Sequence, residues 1–532
     1  MVRTPNPATS DVESLLLISS WKFVVAFVII VAFLIVTIQG NHIIGQAIET
    51  SYLPSTGTGQ PKLEILPPCP VDTWPHIFDG NHVNPGAVQN SIDRAYALAV
   101  TSDGRYLYLG GVSSNVDLAD PRFWVSKHDH CGNVVWATHF DDIMLPPNLN
   151  QRINDIVLDE TRGQIYVVGS YFSESLPGGV RGTGYDIFVA RLDASTGAVQ
   201  WFTTLDYHHL DDNGLGIILS GDKVYITGSV TNVVVVGASN PLSGCLPDNI
   251  TGNATGNVTG NCSSISLSHK DAFIAQYNPP LTDPVWLRTY SSPYVPTETS
   301  YFDEGRDILF HSDGYLYATG TVTRPYPVSG RKRTLWLAKV NPIDGNLLWQ
   351  TYYERPRREG EGIDDVRWME AAGNALASGD ATGAFWVTGW ESGQYFFPVG
   401  AWPNILLLHF NHAGTLLSSQ HIDGSVDLDN DRGNDIEVLP SGSTILTGVI
   451  EHGGIWCGEL DVDFPSCSNL YINYSGGWSD LVPEGEAAAA TGQALAVDEN
   501  NNIYVAGSIR RPGGIDTDFL ISKYTTHGRA VD

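Results

Sequence analysis

Beyond residue 60 the apolar positions of the chain fall into short runs, rich in Val, Ile, Tyr, Phe and Trp, and each run is closed by Gly, Asp, Asn or Pro. β-Branched and aromatic residues in such runs read as strands, and the punctuation between them as turns. One strand pattern recurs, an apolar-aromatic run ending in Gly: YLYLGG, IYVVGS, VYITGS, LYATGT, FWVTGW, TILTGV and IYVAGS. The glycines in register are Gly110, Gly169, Gly228, Gly320, Gly389, Gly448 and Gly507, separated by 59, 59, 92, 69, 59 and 59 residues. A period that regular marks a repeat architecture.

Each unit reads as four strands. In the second these are NDIVLD, QIYVVGS, YDIFVARLD and AVQWFTTL, with the turns ETRG and ASTG between them. The third and fourth strands recur as FWVSKHDHCGNVVWATHF, FIAQYNPPLTDPVWLRTY, LWLAKVNPIDGNLLWQTYY and, more weakly, LLLHFNHAGTLLSSQHI, which places Trp136, Trp201, Trp286 and Trp349 in one register. Large apolar side chains in that register are expected to wedge between neighbouring sheets. Seven sheets packed radially bury both faces of each and leave only short edges, so the reading is an all-β, seven-bladed β-propeller. The last unit stops after its third strand, DFLISKYTTHG, and the missing strand is expected from Thr73–Gly80 (TWPHIFDG), which matches WATHFDD in its Trp and its Phe-Asp. An N-terminal strand would thus close the ring by completing the C-terminal blade.

At DENNNIYVAGS (Asp498–Ser508) and HSDGYLYATGT (His311–Thr321) the chain resembles the SBBP family of seven-bladed propeller repeats, whose units carry a D-x-G-N-x-Y-x-x-G segment. The resemblance covers roughly residues 70–532 and implies a fold, since the family signature is structural. LDASTGAVQW (Leu192–Trp201) is similar to the PQQ-type propeller repeat. The related quinone enzymes use eight blades and dedicated ligands, neither of which is found here, so Trp201 is read as structural and no cofactor follows.

Ahead of the repeats, Phe23–Gln39 reads FVVAFVIIVAFLIVTIQ, the one segment suited to crossing a bilayer. Arg3 and Lys22 precede it, and no Lys or Arg follows until Lys62. By the positive-inside bias, residues 1–20 form a cytoplasmic tail, 21–40 an uncleaved single-pass signal anchor, 41–68 a linker, and 69–532 a propeller on the extracellular or lumenal side. The cysteines, Cys69, Cys131, Cys245, Cys262, Cys457 and Cys467, all follow the anchor, and three disulfides are expected: Cys69–Cys131, Cys245–Cys262 and Cys457–Cys467. Sequons at Asn249, Asn253, Asn257 and Asn261 crowd the insert 235–268, read as a glycosylated loop, and a fifth stands at Asn473. The net charge of −29 repels nucleic acid and excludes it as a partner.

Candidate chemistry is confined to the channel. Aligning the first strands gives one ring of Asp93, Gln151, Asp212, Asp303, Glu361, Asp431 and Ala490, and a second of Ala97, Asp155, Gly216, Asp307, Asp365, Asp435 and Ala494. Converging carboxylates raise one another's pKa or hold a hard cation, so Asp155, Asp307, Asp365 and Asp435 are the candidate metal ligands, with Ca²⁺ the ion of choice. The alternative is that each Asp bonds backbone amides. VDLDNDRGND (Val426–Asp435) falls short of a Ca²⁺ loop, since its Gly is one place late and Val438 replaces the terminal Glu. His208 and His209 beside Asp211 and Asp212 are adjacent on one strand and so point to opposite faces. Arg331–Lys332–Arg333 reads as a solvated loop tip. Nucleophile elbow, zincin, Walker and dinucleotide motifs do not occur. Two readings follow: a recognition or adhesion module binding an extracellular protein or glycan, and an ectoenzyme, a hydrolase or lyase using the axial carboxylates.

Overall fold

The computed structural model describes Cys69 and residues 74–78, 92–114, 121–139, 151–173, 184–207, 210–236, 265–280, 282–291, 302–324, 332–354, 370–378, 383–392, 403–422, 431–451, 468–475, 478–482, 489–510 and 517–529. The chain divides into two units, 1–67 and 68–532. The tail, anchor and linker fall outside the described residues, as do Cys245, Cys262, Cys457, Cys467, Asn249, Asn253, Asn257 and Asn261. Among the described residues no helix is long and apolar enough to cross a membrane.

Each repeat folds as an antiparallel meander in chain order, giving blades one to six over 93–139, 151–205, 213–290, 304–353, 371–422 and 432–482. Blade seven has three consecutive strands over 489–525, and its outer position is filled by His76–Phe78, with His76 opposite Ile521 and Phe78 opposite Phe519. A two-residue strand, Gly528–Arg529, covers the rest of that edge by folding back on Tyr524 and Thr525. The expected closure is therefore present, and the chain end contributes to it as well. Every first strand contacts the first strands of both neighbouring blades, and the strand of blade seven contacts that of blade one, so the ring is closed.

The core lies at the joints between blades. Seven apolar clusters are found among the described residues, each straddling two adjacent blades; the one between blades five and six has the fewest buried members. The recurrent tryptophans sit in these joints. Trp136 Nε1, Tyr108 Oη and Lys127 Nζ of blade one all donate to the Ala194 carbonyl of blade two. Trp201 donates to the Pro280 carbonyl of blade three, and Trp286 and Tyr225 both donate to Pro342 of blade four. Trp349 packs on Gly414 of blade five, where a Cβ would lie 2.7 Å from the ring, and Trp74 packs on Gly132 of blade one. Both glycines have positive φ, so the tight turn and the indole require the same residue.

The repeated glycine of the second strand has a different cause. Each first strand carries a bulge that drives a carbonyl onto the neighbouring strand, and a Cβ at Gly169 would meet the Arg152 oxygen at 2.1 Å. In blade one the residue in this position is Gly111, where a Cβ would lie 2.0 Å from the Arg94 oxygen, so Gly111 and not Gly110 belongs to the series.

Three boundaries shift. In blade three, strands Lys223–Val236 and Ile265–Tyr277 stay paired as far as Val236 and Ile265, so the insert is shorter than 235–268 at both ends. Lys332 and Arg333 open the third strand of blade four and pair with Arg324 and Thr323, so two of the three basic residues lie in a ladder, not a loop tip. Cys69 and Cys131 form the expected disulfide, with a Cα–Cα distance of 5.4 Å.

Candidate functional site

The bulge also sets what faces the axis. Two residues after the bulged pair, the ladders align Ala97, Asp155, Gly216, Asp307, Ala375, Asp435 and Ala494. Asp365 does not belong to this ring: blade five places Ala375 there and Ala371 in the other ring in place of Glu361, and both acids lie outside the described residues. The repeat runs longer before blade five, and alignment by acidic residues slipped into the preceding connection.

Asp155, Asp307 and Asp435 share one arrangement. Oδ1 of each accepts the amide of the following residue, Ile156, Ile308 or Ile436, at 2.7, 2.7 and 2.8 Å. Oδ2 reaches the next blade, accepting from Ile217, Leu376 and Leu495 at 2.8, 2.7 and 2.6 Å. The bulge residues reinforce three joints: Asn154, Asn374 and Asn434 donate to the carbonyls of Gly214, Gly433 and Gly492. Arg306, bonded to Glu304, holds Asn374 Oδ1.

Burial pushes Asp155 up to about 8, with the Asp307 charge adding to it, and Asp307 itself up to about 6. Asp435 is raised as well, by burial and then by Glu437 and Asp307. Glu437, two residues further along, rises to about 7 through burial and the charge of Asp307, against one amide bond from Val438. Sequence reasoning missed Glu437, although a signal existed: blades two to five carry Val157, Ile218, Leu309 and Ala377 at its position. The axis thus holds a set of carboxyls whose burial disfavours the charged form, three of them tied at both oxygens.

The other ring fastens strands within blades. Asp212 accepts the amides of Tyr207 and Thr231, and Asp303 that of Thr323. Among the described residues, metal-capable side chains come within 4.8 Å of one another in groups of three only at Cys69–His130–Cys131, whose cysteines are already oxidised, and at Asp186–Asp206–Asp212. The axial aspartates do not form such a group. His208 and His209, with Asp427 and Asp429, lie outside the described residues, and Asp431 is buried with its amide on the Pro403 carbonyl.

One cleft opens at the joint between blades five and six. Ser418 pairs with His409 there, the register in which Trp349 pairs with Lys339 one blade earlier. Serine thus holds the tryptophan position, and at this joint lies a space of about 430 Å³, bordered by Trp386, Leu407 and Gln420 on one side and Asn473, Tyr474 and Ser479 on the other. Trp386 is stacked on His409 with ring centroids 4.2 Å apart. Asn473, partly buried, donates through Nδ2 to Tyr471 Oη at 3.0 Å.

Fold and site define the class: a seven-bladed β-propeller with three tied axial aspartates and, among the described residues, a cleft at the joint between blades five and six. No protein-family model matches the chain, and no curated protein is similar to it in sequence. Solved structures similar to it include a protein of unknown function from Dyadobacter fermentans (10% identity, 69% of this chain and 92% of that one, TM-score 0.37). A quinohemoprotein alcohol dehydrogenase from Pseudomonas putida matches at 10% identity over 82% of this chain and 74% of its own, TM-score 0.38. The periplasmic gluconolactonase of Pseudomonas aeruginosa matches at 12% identity over 73% and 84%, TM-score 0.35.

Proposed function

We propose that the chain is a recognition or adhesion module of the SBBP-like kind, held at a membrane by its N-terminal segment and presenting the propeller on the extracellular or lumenal side to a protein or glycan partner. The observation that carries this reading is the engagement of the axial carboxylates. Asp155, Asp307 and Asp435 each give both oxygens to backbone amides, so they serve to join blades. Ca²⁺ at these residues would share oxygens that each already accept an amide bond, and is expected to bind weakly. Propeller loops provide a rigid, broad platform, the usual seat of binding on a fixed scaffold.

The ectoenzyme reading has one observation in its favour, Glu437, raised to about 7 and bonded by a single amide, as a general acid would be. The two separate on cells expressing the full chain with an epitope after Asp532. A recognition module is expected to expose the epitope on intact cells and to promote cell binding equally in the parent and in Glu437→Gln. An epitope reached only after permeabilisation overturns the orientation, and glycan cleavage that Glu437→Gln abolishes overturns the binding reading.

A further inference from the structure

We propose that the open joint between blades five and six is filled by the first N-acetylglucosamine of a glycan carried on Asn473. The inference rests on the reading that the propeller is exported. Three observations meet at this place. Elsewhere, at the joints led by Trp74, Trp136, Trp201, Trp286 and Trp349, an indole from the outer strand closes the gap. Here Ser418 takes that position, and the joint holds a space of about 430 Å³, within the size range of pockets that enclose small ligands. The wall facing Ser418's blade carries Asn473 of the sequon Asn473-Tyr474-Ser475.

The chemistry suits that occupant. In N-glycosylation, C1 of the sugar leaves the phosphate oxygen of a lipid-linked pyrophosphate donor and bonds to Nδ2, which loses one proton and keeps the other. The remaining N–H can still donate to Tyr471 Oη, the bond Asn473 makes now. Trp386 offers an aromatic face for the C–H face of a pyranose, and Gln420 and Ser479 offer polar atoms for its hydroxyl and acetamido groups. Ser475, which supplies the sequon hydroxyl, is fixed by accepting the Thr444 amide through Oγ at 2.8 Å.

The test begins with the full chain made in a glycosylating host and mapped at its sequons. Occupancy of Asn473 is expected. Occupancy of Asn249, Asn253, Asn257 and Asn261 without Asn473 overturns the inference and leaves the export reading standing; five empty sequons overturn both. In a background with the four insert asparagines changed to Gln, trimming by an endoglycosidase that leaves one sugar should keep the melting temperature, whereas complete removal by an amidase, which converts Asn473 to Asp, should lower it by roughly 2–4 °C, and the same chain made in a host without N-glycosylation, which keeps Asn473, should melt equally low. Equal melting after both treatments places the sugar outside the cleft and sinks the idea. Asn473→Gln should reproduce the loss, Ser475→Thr should not, and Ser418→Trp should restore the loss in Asn473→Gln. If Asn473→Gln does not fold, the enzymatic comparison on folded protein decides alone.

Discussion

Asp155, Asp307 and Asp435 each bridge a backbone amide of their own strand to one in the next blade, and this ties their protonation to the integrity of the ring. Glu437 reports on that environment most cleanly, because it accepts a single amide bond that a Gln could also accept. In the unfolded chain a Glu loses its proton near 4.5, and in the folded disc Glu437 loses it near 7. Between those values the folded state binds more protons, so this group makes stability fall as pH rises through the window and leaves it lowest above 7. Glu437→Gln is therefore expected to match the parent below about pH 4 and to melt higher at pH 8 in parallel thermal scans. A variant that melts lower at pH 8 would mean that the carboxylate is stabilised there by a cation. That Asp155, Asp307 and Asp435 line up was legible in the sequence, since they stand 14, 13 and 13 residues before Gly169, Gly320 and Gly448. Asp365 was misplaced because acidity alone cannot reveal a bulge, whereas the spacing to Gly389 does.

At the scale of the element, the unit of cohesion is the indole that leaves one blade's outer strand for the third-to-fourth turn of the next. Trp286, 8% exposed, donates to both Gln276 and the Pro342 carbonyl. Trp286→Ala should cost about 3–5 kcal/mol in denaturant unfolding, whereas Leu417→Ala, at a position 53% exposed one residue before Ser418, should be near neutral. Comparable losses would show that the joints are held by the strands alone. This device was readable before the structure, because the strand and turn that it links recur together in sequence. The gap at blade five was visible too, as the weak match LLSSQHI, but a serine in place of a tryptophan says only that a key is missing. The shape left behind depends on Trp386 and Asn473, which come from different strands of different blades.

For the whole molecule, the outcome of truncation depends on which segment closes the ring. Removing residues 1–60 takes away no described strand, while removing 1–82 deletes Cys69, Trp74 and His76–Phe78. Phe78 stacks on Phe519, with Trp124 also stacked on Phe519, so this deletion opens both a sheet edge and the joint between blades seven and one. The shorter deletion should yield a propeller that melts cooperatively, and the longer one should melt far lower or aggregate. Equal melting of the two would show that closure does not depend on His76–Phe78. The alternation of the axial aspartates has a further consequence, one of parity. Asp155 couples blade two to three, Asp307 four to five, and Asp435 six to seven. A device that pairs neighbours around a ring of odd membership must leave one member single, and here it is blade one, with Ala97 in the coupling position. The seam of the ring lies beside blade one, where His76–Phe78 pairs with the strand Thr517–Thr525 and where Cys69 bonds to Cys131.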